Sequence, residues 1–589
     1  MTRAGLHQLK LFLSGVRELK ENDERLARKH LLLDALSSEK AADPLGGLIE
    51  TWHFASQLNN DSLCSTVPAV LTSILKTLSD VVEFRDLGVN ICRKLLQEDQ
   101  LKLFETNLNA QKFKQHLFDP VLRLLTEIMF FDGGCVAKNV YRLRNVTFNR
   151  LDVFLSTLKE ARDDTEDVRK RPTLRETALR YLLANIKLQD RPGKSFLLSQ
   201  YRITHALFHF LDKDPPWLIN SVLQTIQKHV LDDGTLPDSI KRKVFHESAL
   251  KGLATLYQSK DESMSPTQSS ILSNLHSLLL SVFALTENFS ILRRTKLSSS
   301  PVGEYHNKDR KGIDDEGTDV QALNSHVARF LSRLRPYADT LQASLLVDVF
   351  RTRPDLLSVY FLEKNSISLD PKLTVTWVGY ARFVLAVVQL PCHEALLQRQ
   401  SQFHELTREL LHTLLPPPCD KKTMTRCLNH ASDLINFVSV AILNAALFKF
   451  QSVVHFLKNT VGTKQRDNLI RDMQTEFASY CPEIRHVITG FLNCPEENLV
   501  LKESLARLLS RYYQCMPAVT LVESFDASPK LSSYLQAMTN SDSKTNEDQG
   551  FQSLMVQHLL QIAQQSLETQ WWRSKSFPSV ACSRTLLTY

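Results

Sequence analysis

The sequence predicts an all-α protein, specifically an armadillo- or HEAT-like α-solenoid of antiparallel helix pairs. Apolar residues, above all leucine, recur at helical spacing throughout the 589 residues. Glycine occurs only 17 times, and the alternating β-branched pattern of strands is scarce. Residues that start and stop helices follow one another about every 15–25 residues, which suits helices joined by short reversals. Stacked pairs of this kind predict a repeat of about 40 residues, although no residue signature recurs with that period.

Three helices are predicted between residues 118 and 186, each with an apolar stripe that can pack against a neighbour. The stripes are Phe118, Val121, Leu122, Leu125, Ile128 and Met129; Leu151, Phe154, Leu155 and Leu158; and Leu174, Ala178, Leu179, Leu182, Leu183 and Ile186. Asp119-Pro120 predicts a helix start, and Asn149 with Asp152 resembles a capping box. Gly133-Gly134 predicts a sharp reversal, because glycine accepts positive φ.

The same rhythm of helices continues along the rest of the chain. Three helices are expected before residue 60 and two over residues 68–97, with a bend near Phe84. Further helices are expected over residues 195–211, 215–232 and 237–257. Polar segments then divide the chain, which predicts an N-terminal solenoid domain (1–295), a disordered linker (296–319), further helical repeats (320–567) and an irregular tail (568–589). A second polar linker is expected over residues 540–550.

Composition indicates a soluble intracellular protein. The first 20 residues interrupt their apolar positions with basic ones, unlike a signal peptide. The ten cysteines have no repeated spacing, which favours a reducing compartment. The most apolar run, residues 435–448, contains Asn436 and Asn444 and is too short to span a bilayer. We therefore expect no membrane partner.

Catalytic and metal-binding patterns fail on spacing. Residues 191–195 contain the Gly-Lys-Ser of a phosphate-binding loop, but Leu188 occupies the position of its first glycine. Cys419, Cys427 and His430 are too far apart for a structural zinc site, and no Cys-x-x-Cys pair accompanies them. The sequence therefore predicts no enzyme, no cofactor, no metal and no small-molecule substrate.

Basic charge is concentrated in one stretch. Residues 138–194 contain 14 Lys and Arg against 8 Asp and Glu, a balance of +6, whereas the whole chain carries +7. The candidate contacts to RNA or to an acidic partner are Arg142, Arg144, Arg169, Lys170, Arg171 and Arg175. For each basic run taken alone, a solvated helical surface is the first interpretation. Arg142 and Arg171 lie at the same edge only if residues 136–141 form an additional short helix.

The order and spacing of several short motifs resemble a known family. They are Phe130-Phe131-Asp132-Gly133-Gly134, Asn149-Arg150-Leu151-Asp152, Arg171-Pro172-Thr173-Leu174-Arg175, Leu197-Leu198-Ser199-Gln200, Asp214-Pro215-Pro216 and Lys243-Val244-Phe245-His246-Glu247-Ser248. Together they resemble the N-terminal domain of the nucleolar pre-ribosomal-associated protein 1 family. The likeness is strongest over residues 80–260 and extends to about residue 565.

This resemblance implies a nucleolar α-solenoid scaffold in early assembly of the large ribosomal subunit and in pre-rRNA processing. Implied partners are pre-ribosomal RNA, small nucleolar RNA and assembly factors that include a DEAD-box helicase. Family members are several times longer than this chain, so we expect it to be a fragment or splice form. The family offers no catalytic residues. The alternative is a solenoid adaptor in cytoplasmic transport or coat assembly.

Overall fold

A computed structural model of the chain is all-helical, with no strand among the residues that it describes. These are residues 3–18, 45–80, 82–110, 114–157, 172–258, 266–284, 326–354, 367–392, 410–460, 463–523, 525–539 and 546–566, with isolated positions over 27–34 and 356–361. The predicted linker at 296–319 and the tail at 568–589 lie outside them. The chain packs as two compact units, which divide between Phe330 and Leu331 among the described residues.

Unit 1 contains fifteen described helices. They are α1 (Arg3–Glu18), α2 (Gly46–Gln57), α3 (Asp61–Ser79), α4 (Arg85–Leu95), α5 (Glu98–Leu108), α6 (Gln115–Phe130), α7 (Ala137–Val140), α8 (Arg144–Ser156), α9 (Leu174–Leu188), α10 (Arg191–Leu198), α11 (Tyr201–His209), α12 (Pro216–Ile226), α13 (Asp238–Val244), α14 (Glu247–Gln258) and α15 (Pro266–Ala284). The bend near Phe84 is a single 3₁₀ turn between α3 and α4.

In unit 1, helices at equivalent positions of successive repeats stack against one another. One row is α1, α3, α6, α9, α12 and α15, and a second is α2, α5, α8, α11 and α14. Equivalent helices run parallel, because the ion pairs between α3 and α6 join Asp61 to Lys114 (2.5 Å) at one end and Lys76 to Glu127 (2.7 Å) at the other. The members α3, α6, α9, α12 and α15 begin at residues 61, 115, 174, 216 and 266. Their spacings of 54, 59, 42 and 50 residues are mostly longer than the period of about 40–47 residues of armadillo and HEAT repeats.

Helices that follow one another within a repeat run antiparallel, as the sequence predicts. Between α8 and α9, the Tyr181 hydroxyl donates to Thr147 Oγ1 at 3.3 Å. At the opposite end of the same pair, Arg175 donates to the Leu155 carbonyl. The predicted α-solenoid of antiparallel pairs is therefore confirmed, with three helices in each repeat of unit 1.

Unit 2 repeats this plan with its own helices. They are α16 (Thr340–Thr352), α17 (Val375–Val388), α18 (Lys421–Leu428), α19 (Asp433–Thr460), α20 (Thr463–Tyr480), α21 (Ile484–Asn493), α22 (Leu499–Cys515), α23 (Pro517–Thr520), α24 (Ser528–Thr539) and α25 (Asn546–Gln565). Helices α17, α19, α22 and α25 form its central row. Asn498 donates to Asp433 (3.0 Å) and Gln451 to Gln514 (3.4 Å), so α19 and α22 are parallel.

Local chemistry sets several helix starts. Asp190 and Asp420 accept a hydrogen bond from the backbone N–H three residues later, at 3.2 and 3.1 Å. Thr173 and Glu176 form a complete capping box at the start of α9. Asp132, Gly133 and Gly134 all have positive φ, which confirms the predicted reversal after α6.

Other predicted boundaries were wrong. Pro120 lies inside α6, which begins at Gln115, and Asp119 binds Arg123 and Thr177 instead of capping. Helix α8 begins at Arg144, so Asn149 is inside it and forms no capping box. Residues 195–211 and 237–257 each split into two helices. Part of the predicted linker at 540–550 is helical, because α25 begins at Asn546.

Within the described ranges, two helices are long and apolar enough to cross a membrane by length and composition. They are α3 and residues 433–459 of α19, and 56% of each window is buried within the chain. The apolar run predicted to be too short for a membrane span is therefore only half of a 28-residue helix. Its burial is that of a core helix, and α19 packs against both α17 and α22.

Substitution of Gly252 by alanine tests the close packing of α11 against α14. A Cβ atom at this position would lie 2.2 Å from the Phe208 carbonyl oxygen, so Gly252→Ala must push the two helices apart. We expect a loss of about 1–3 kcal/mol in the free energy of unfolding, measured by urea denaturation. Gly47→Ala in α2, where nothing lies within 4 Å, is the matched control and is expected to be neutral or slightly stabilising. Equal stabilities would contradict the packing.

Candidate basic and aromatic surface

Arg142 and Arg144 lie where the chain turns from α7 into α8. Helix α7 and the 3₁₀ turn that follows it supply the additional short helix that the sequence analysis required in this region. Arg142 is exposed and Arg144 is half-buried. Val140 and Leu143 of this turn are buried in the core. Their burial anchors the turn and leaves Arg142 and Arg144 at the surface.

Aromatic rings lie beside Arg144. The Arg144 guanidinium lies 4.9 Å from the centre of the Tyr141 ring. Phe196 of α10 meets the Tyr141 ring edge-on at 6.3 Å and stacks with Phe148 at 6.5 Å. Phe196 remains 41% exposed. We call Tyr141, Arg142, Arg144 and Phe196 the Tyr141 surface. It joins cationic groups to partly exposed rings.

A second group of rings lies on α11 and at the start of α14. Tyr201 is 59% exposed and packs 4.6 Å from His246. His205 stacks on His246 at 6.2 Å and on His209 at 5.1 Å. Burial lowers the pKa of His246 to about 4 and also lowers the pKa of His205. These two histidines are therefore neutral aromatic rings at pH 7.

The prediction that Arg175 faces RNA was wrong. Its side chain is 2% exposed, and its guanidinium binds Asp214 at 2.7–2.8 Å. It also donates to the carbonyls of Leu155, Ala206 and Leu207. A planar guanidinium with its donors satisfied in this way is a structural group. Arg169, Lys170 and Arg171 lie outside the described residues, so their part in the surface stays a prediction.

Other cations of the basic stretch also serve the fold. Arg150 donates to the carbonyls of Leu108 and Ala110 at 2.9 and 3.0 Å, which caps the end of α5. Lys194, the lysine of the Gly-Lys-Ser sequence, is buried and pairs with Asp233 at 2.8 Å. That sequence is the first turn of α10, and its lysine is engaged within the fold. The charge excess therefore overstates the basic surface.

The sequence analysis missed the aromatic half of the site. Tyr141 stands three residues before Arg144, a spacing that places these two side chains on one face of a helical turn. That local signal was available in the sequence. The contact of Phe196 with Tyr141 joins residues 55 positions apart, and only the packing of α10 against the α7–α8 turn reveals it.

Unit 2 has two open clefts among its described residues. The first, about 370 Å³, is lined by Tyr337, Asp348, Arg351 and Arg382 with apolar neighbours. The second, about 310 Å³, contains His430 and His486. Ser432 N–H donates to His430 Nδ1 at 3.0 Å, and the Asn429 amide lies 3.2 Å from His486 Nδ1. These ring nitrogens hold loops together. No group of three or more metal-ligating side chains occurs in the described part of the chain.

Comparison with known proteins decides the family. Residues 45–380, more than half of the chain, match the family profile described as Npa1, ribosome 60S biogenesis N-terminal. The chain belongs to the Npa1 family. This confirms the resemblance found from the short motifs. The Tyr141 surface lies within the matched residues, whereas α18 to α25 lie beyond them.

Named Npa1 relatives are nucleolar proteins. The chain is 22% identical over 541 residues to nucleolar pre-ribosomal-associated protein 1 of Saccharomyces cerevisiae, covering 90% of the chain and 29% of that protein. It is 24% identical over 397 residues to the Homo sapiens protein of the same name, covering 66% of the chain and 16% of that protein. The chain thus spans less than a third of the length of these relatives. Their names agree with the nucleolar location that the sequence resemblance implies.

Solved structures with a similar arrangement include helical proteins of other kinds. The chain matches a crystal structure of Uso1 with a TM-score of 0.31 and 13% identity over 95% of this chain and 98% of that one. It matches importin 13 in its cytosolic state with a TM-score of 0.31 and 13% identity over 97% of this chain and 68% of that one.

The basic stretch contains buried structural arginines and exposed surface arginines. Alanine substitution distinguishes the two groups by its effect on the free energy of unfolding. Arg175→Ala leaves the Asp214 carboxylate buried without its cation, so we expect a loss of about 3–5 kcal/mol in the free energy of unfolding. Arg142→Ala removes an exposed side chain and is expected to change it by no more than about 0.5 kcal/mol. Chemical denaturation of both variants measures the difference. A small, equal effect would contradict the burial of Arg175.

The Lys194–Asp233 pair predicts a pH dependence of stability. Hydrogen bonds from the Lys194 ammonium and from Thr235 hold the pKa of Asp233 well below its usual range. A carboxyl with a lowered folded pKa stabilises the protein above its unfolded pKa of about 4, and that contribution is lost as the pH falls through the folded pKa. Asp233→Asn should therefore be less stable than the parent at pH 7. The difference in urea midpoint between the parent and Asp233→Asn should shrink progressively as the pH falls below about 4. A difference that stays constant with pH would refute this assignment.

Proposed function

We propose that this chain is a non-catalytic module of a nucleolar scaffold in early assembly of the large ribosomal subunit and in pre-rRNA processing. Its helical surfaces hold RNA and assembly factors in place. Membership of the Npa1 family, whose profile is described by 60S biogenesis, supports the process. The Tyr141 surface supports the mode of action.

The chemistry of the Tyr141 surface suits RNA. Exposed guanidinium groups bind phosphate oxygens, and partly exposed rings stack on unpaired bases. Arg142 is an exposed guanidinium. Tyr141 and Phe196 are the rings, and their centres lie 6.3 Å apart. This joining of both contact types at one place is the observation that carries the proposal. Arg169, Lys170 and Arg171 extend the surface in our proposal.

The proposed partners follow the family. They are pre-ribosomal RNA, small nucleolar RNA and assembly factors including a DEAD-box helicase. The proposed module has no active site and acts without a cofactor, a small-molecule substrate or a membrane. A transport or coat adaptor, the alternative considered from the sequence, would not co-sediment with pre-ribosomal particles. Family membership favours the ribosomal role.

Binding to a fluorescent single-stranded RNA tests the role of the Tyr141 surface. Each phosphate contact contributes about 0.7–0.9 to the slope of log affinity against log salt. Arg142→Ala/Arg144→Ala should therefore weaken binding and lower that slope by about 1–2 units. Tyr141→Ala/Phe196→Ala should weaken binding with little change in slope, because stacking is not ionic.

A charge-matched control makes this test specific. Lys102→Ala/Lys251→Ala removes two exposed cations of unit 1 outside the Tyr141 surface and should have a smaller effect than the arginine pair. A third variant, Arg169→Ala/Lys170→Ala/Arg171→Ala, tests the proposed extension. If the arginine pair and the control behave alike, the Tyr141 surface is ordinary solvated protein surface.

A further inference from the structure

The longest helix described in unit 2, α19, carries apolar residues on its open side as well as on its buried side. Buried residues of α19 include Ile435, Val440, Leu443, Leu447 and Phe450. A separate line of apolar residues faces solvent, namely Leu434, Phe437, Val438, Ala441, Ala445 and Phe448. We call these six residues the α19 stripe.

The α19 stripe is continuous along one face of the helix. Its residues recur every three or four positions, which places them on one face over about 21 Å of helix. Leu434, Phe437 and Phe448 are 48%, 37% and 58% exposed. Between these large side chains lie the small side chains of Ala441 and Ala445. Small residues flanked by large ones let a second helix approach closely.

Charge beside the α19 stripe identifies the kind of partner. Helix α22 lies parallel to α19, and Arg511 donates to the Asn444 carbonyl at 2.6 Å while its guanidinium lies 5.2 Å from the Phe448 ring. Arg507, one turn earlier, has a side chain that is 42% exposed. Arg511 therefore borders the second half of the stripe, and Arg507 lies one turn away from it on α22.

Glu503 offsets Arg507 by a salt bridge of 2.6 Å, whereas Arg511 makes no salt bridge within the described residues. Asp433, the first residue of α19, stands at the end of the stripe far from Arg511. Residues 434–460 contain no Asp or Glu. The only acidic residue of α22, Glu503, is 3% exposed and is bound by Arg507 and His558. The border of the stripe is therefore cationic, and complementary charges on a partner would be acidic.

We propose that the α19 stripe docks an amphipathic helix of an acidic partner protein. Apolar residues of the partner at i, i+3, i+4 and i+7 cover the stripe, and its carboxylates meet Arg507 and Arg511. Aliphatic side chains dominate the stripe, which favours a protein helix over RNA. This surface lies outside the residues matched by the Npa1 profile and is independent of the Tyr141 surface.

Selection from a random 16-residue peptide library tests the proposal. The full chain is the bait. The double substitution Ala441→Glu/Ala445→Glu, called the filled variant, places two carboxylates in the middle of the stripe and is used for counter-selection. Enriched peptides should be amphipathic helices with net negative charge, and their affinity should fall at least tenfold on the filled variant. Thr475→Glu, on an exposed position of α20, adds charge elsewhere in unit 2 and should leave their affinity unchanged.

A second substitution tests the role of the arginines. Arg511→Gln keeps a hydrogen-bond donor for the Asn444 carbonyl and removes the charge, so it should weaken the acidic peptides and reduce the salt dependence of their binding. Thermal denaturation establishes that each variant is folded. Enrichment of basic peptides, or of peptides that bind the filled variant equally well, would overturn the proposal. So would RNA binding that the filled variant abolishes, or self-association of the chain through the stripe.

Discussion

One buried guanidinium joins four elements at the centre of unit 1. Arg175 stands at the start of α9 and reaches Asp214 before α12, the end of α8 and two carbonyls near the end of α11. Because it serves three carbonyls and a carboxylate at once, it fixes both an antiparallel pair and the next repeat. Removing any one of these partners would leave a buried polar group unsatisfied, which costs far more than a surface contact contributes.

The same constraint explains why the basic stretch exposes less charge than its sequence indicates. Arg150, Arg175 and Lys194 each point to partners within the fold. The cations that remain at the surface include Arg142 and the half-buried Arg144, beside rings that α10 brings from elsewhere in the chain. Lys138, Arg180 and Arg191 are exposed as well. Burial of long cationic side chains therefore selects which part of a charged sequence is available to an RNA. Net charge by itself does not.

The sequence predicted features that depend on neighbours in the chain. It predicted the helical content, the reversal at Gly133-Gly134 and the bend at Phe84, because helical periodicity and glycine conformation are local properties. It failed at Pro120, since tertiary packing of α6 overrides the preference of proline for the first turn. The burial of Arg175, the Phe196 contact and the open side of α19 depend on residues from other repeats, which one sequence does not pair.

In our proposal, this solenoid module binds RNA at its exposed arginines and rings. The most direct test crosslinks the chain to RNA in cells and then identifies the crosslinked peptides. The account predicts crosslinked residues around Tyr141 and Phe196, attached to precursor sequences of large-subunit ribosomal RNA. Arg175 and its neighbours in the interior should carry none. RNA attached only to other parts of the chain, or only to RNA unrelated to ribosomes, would contradict it.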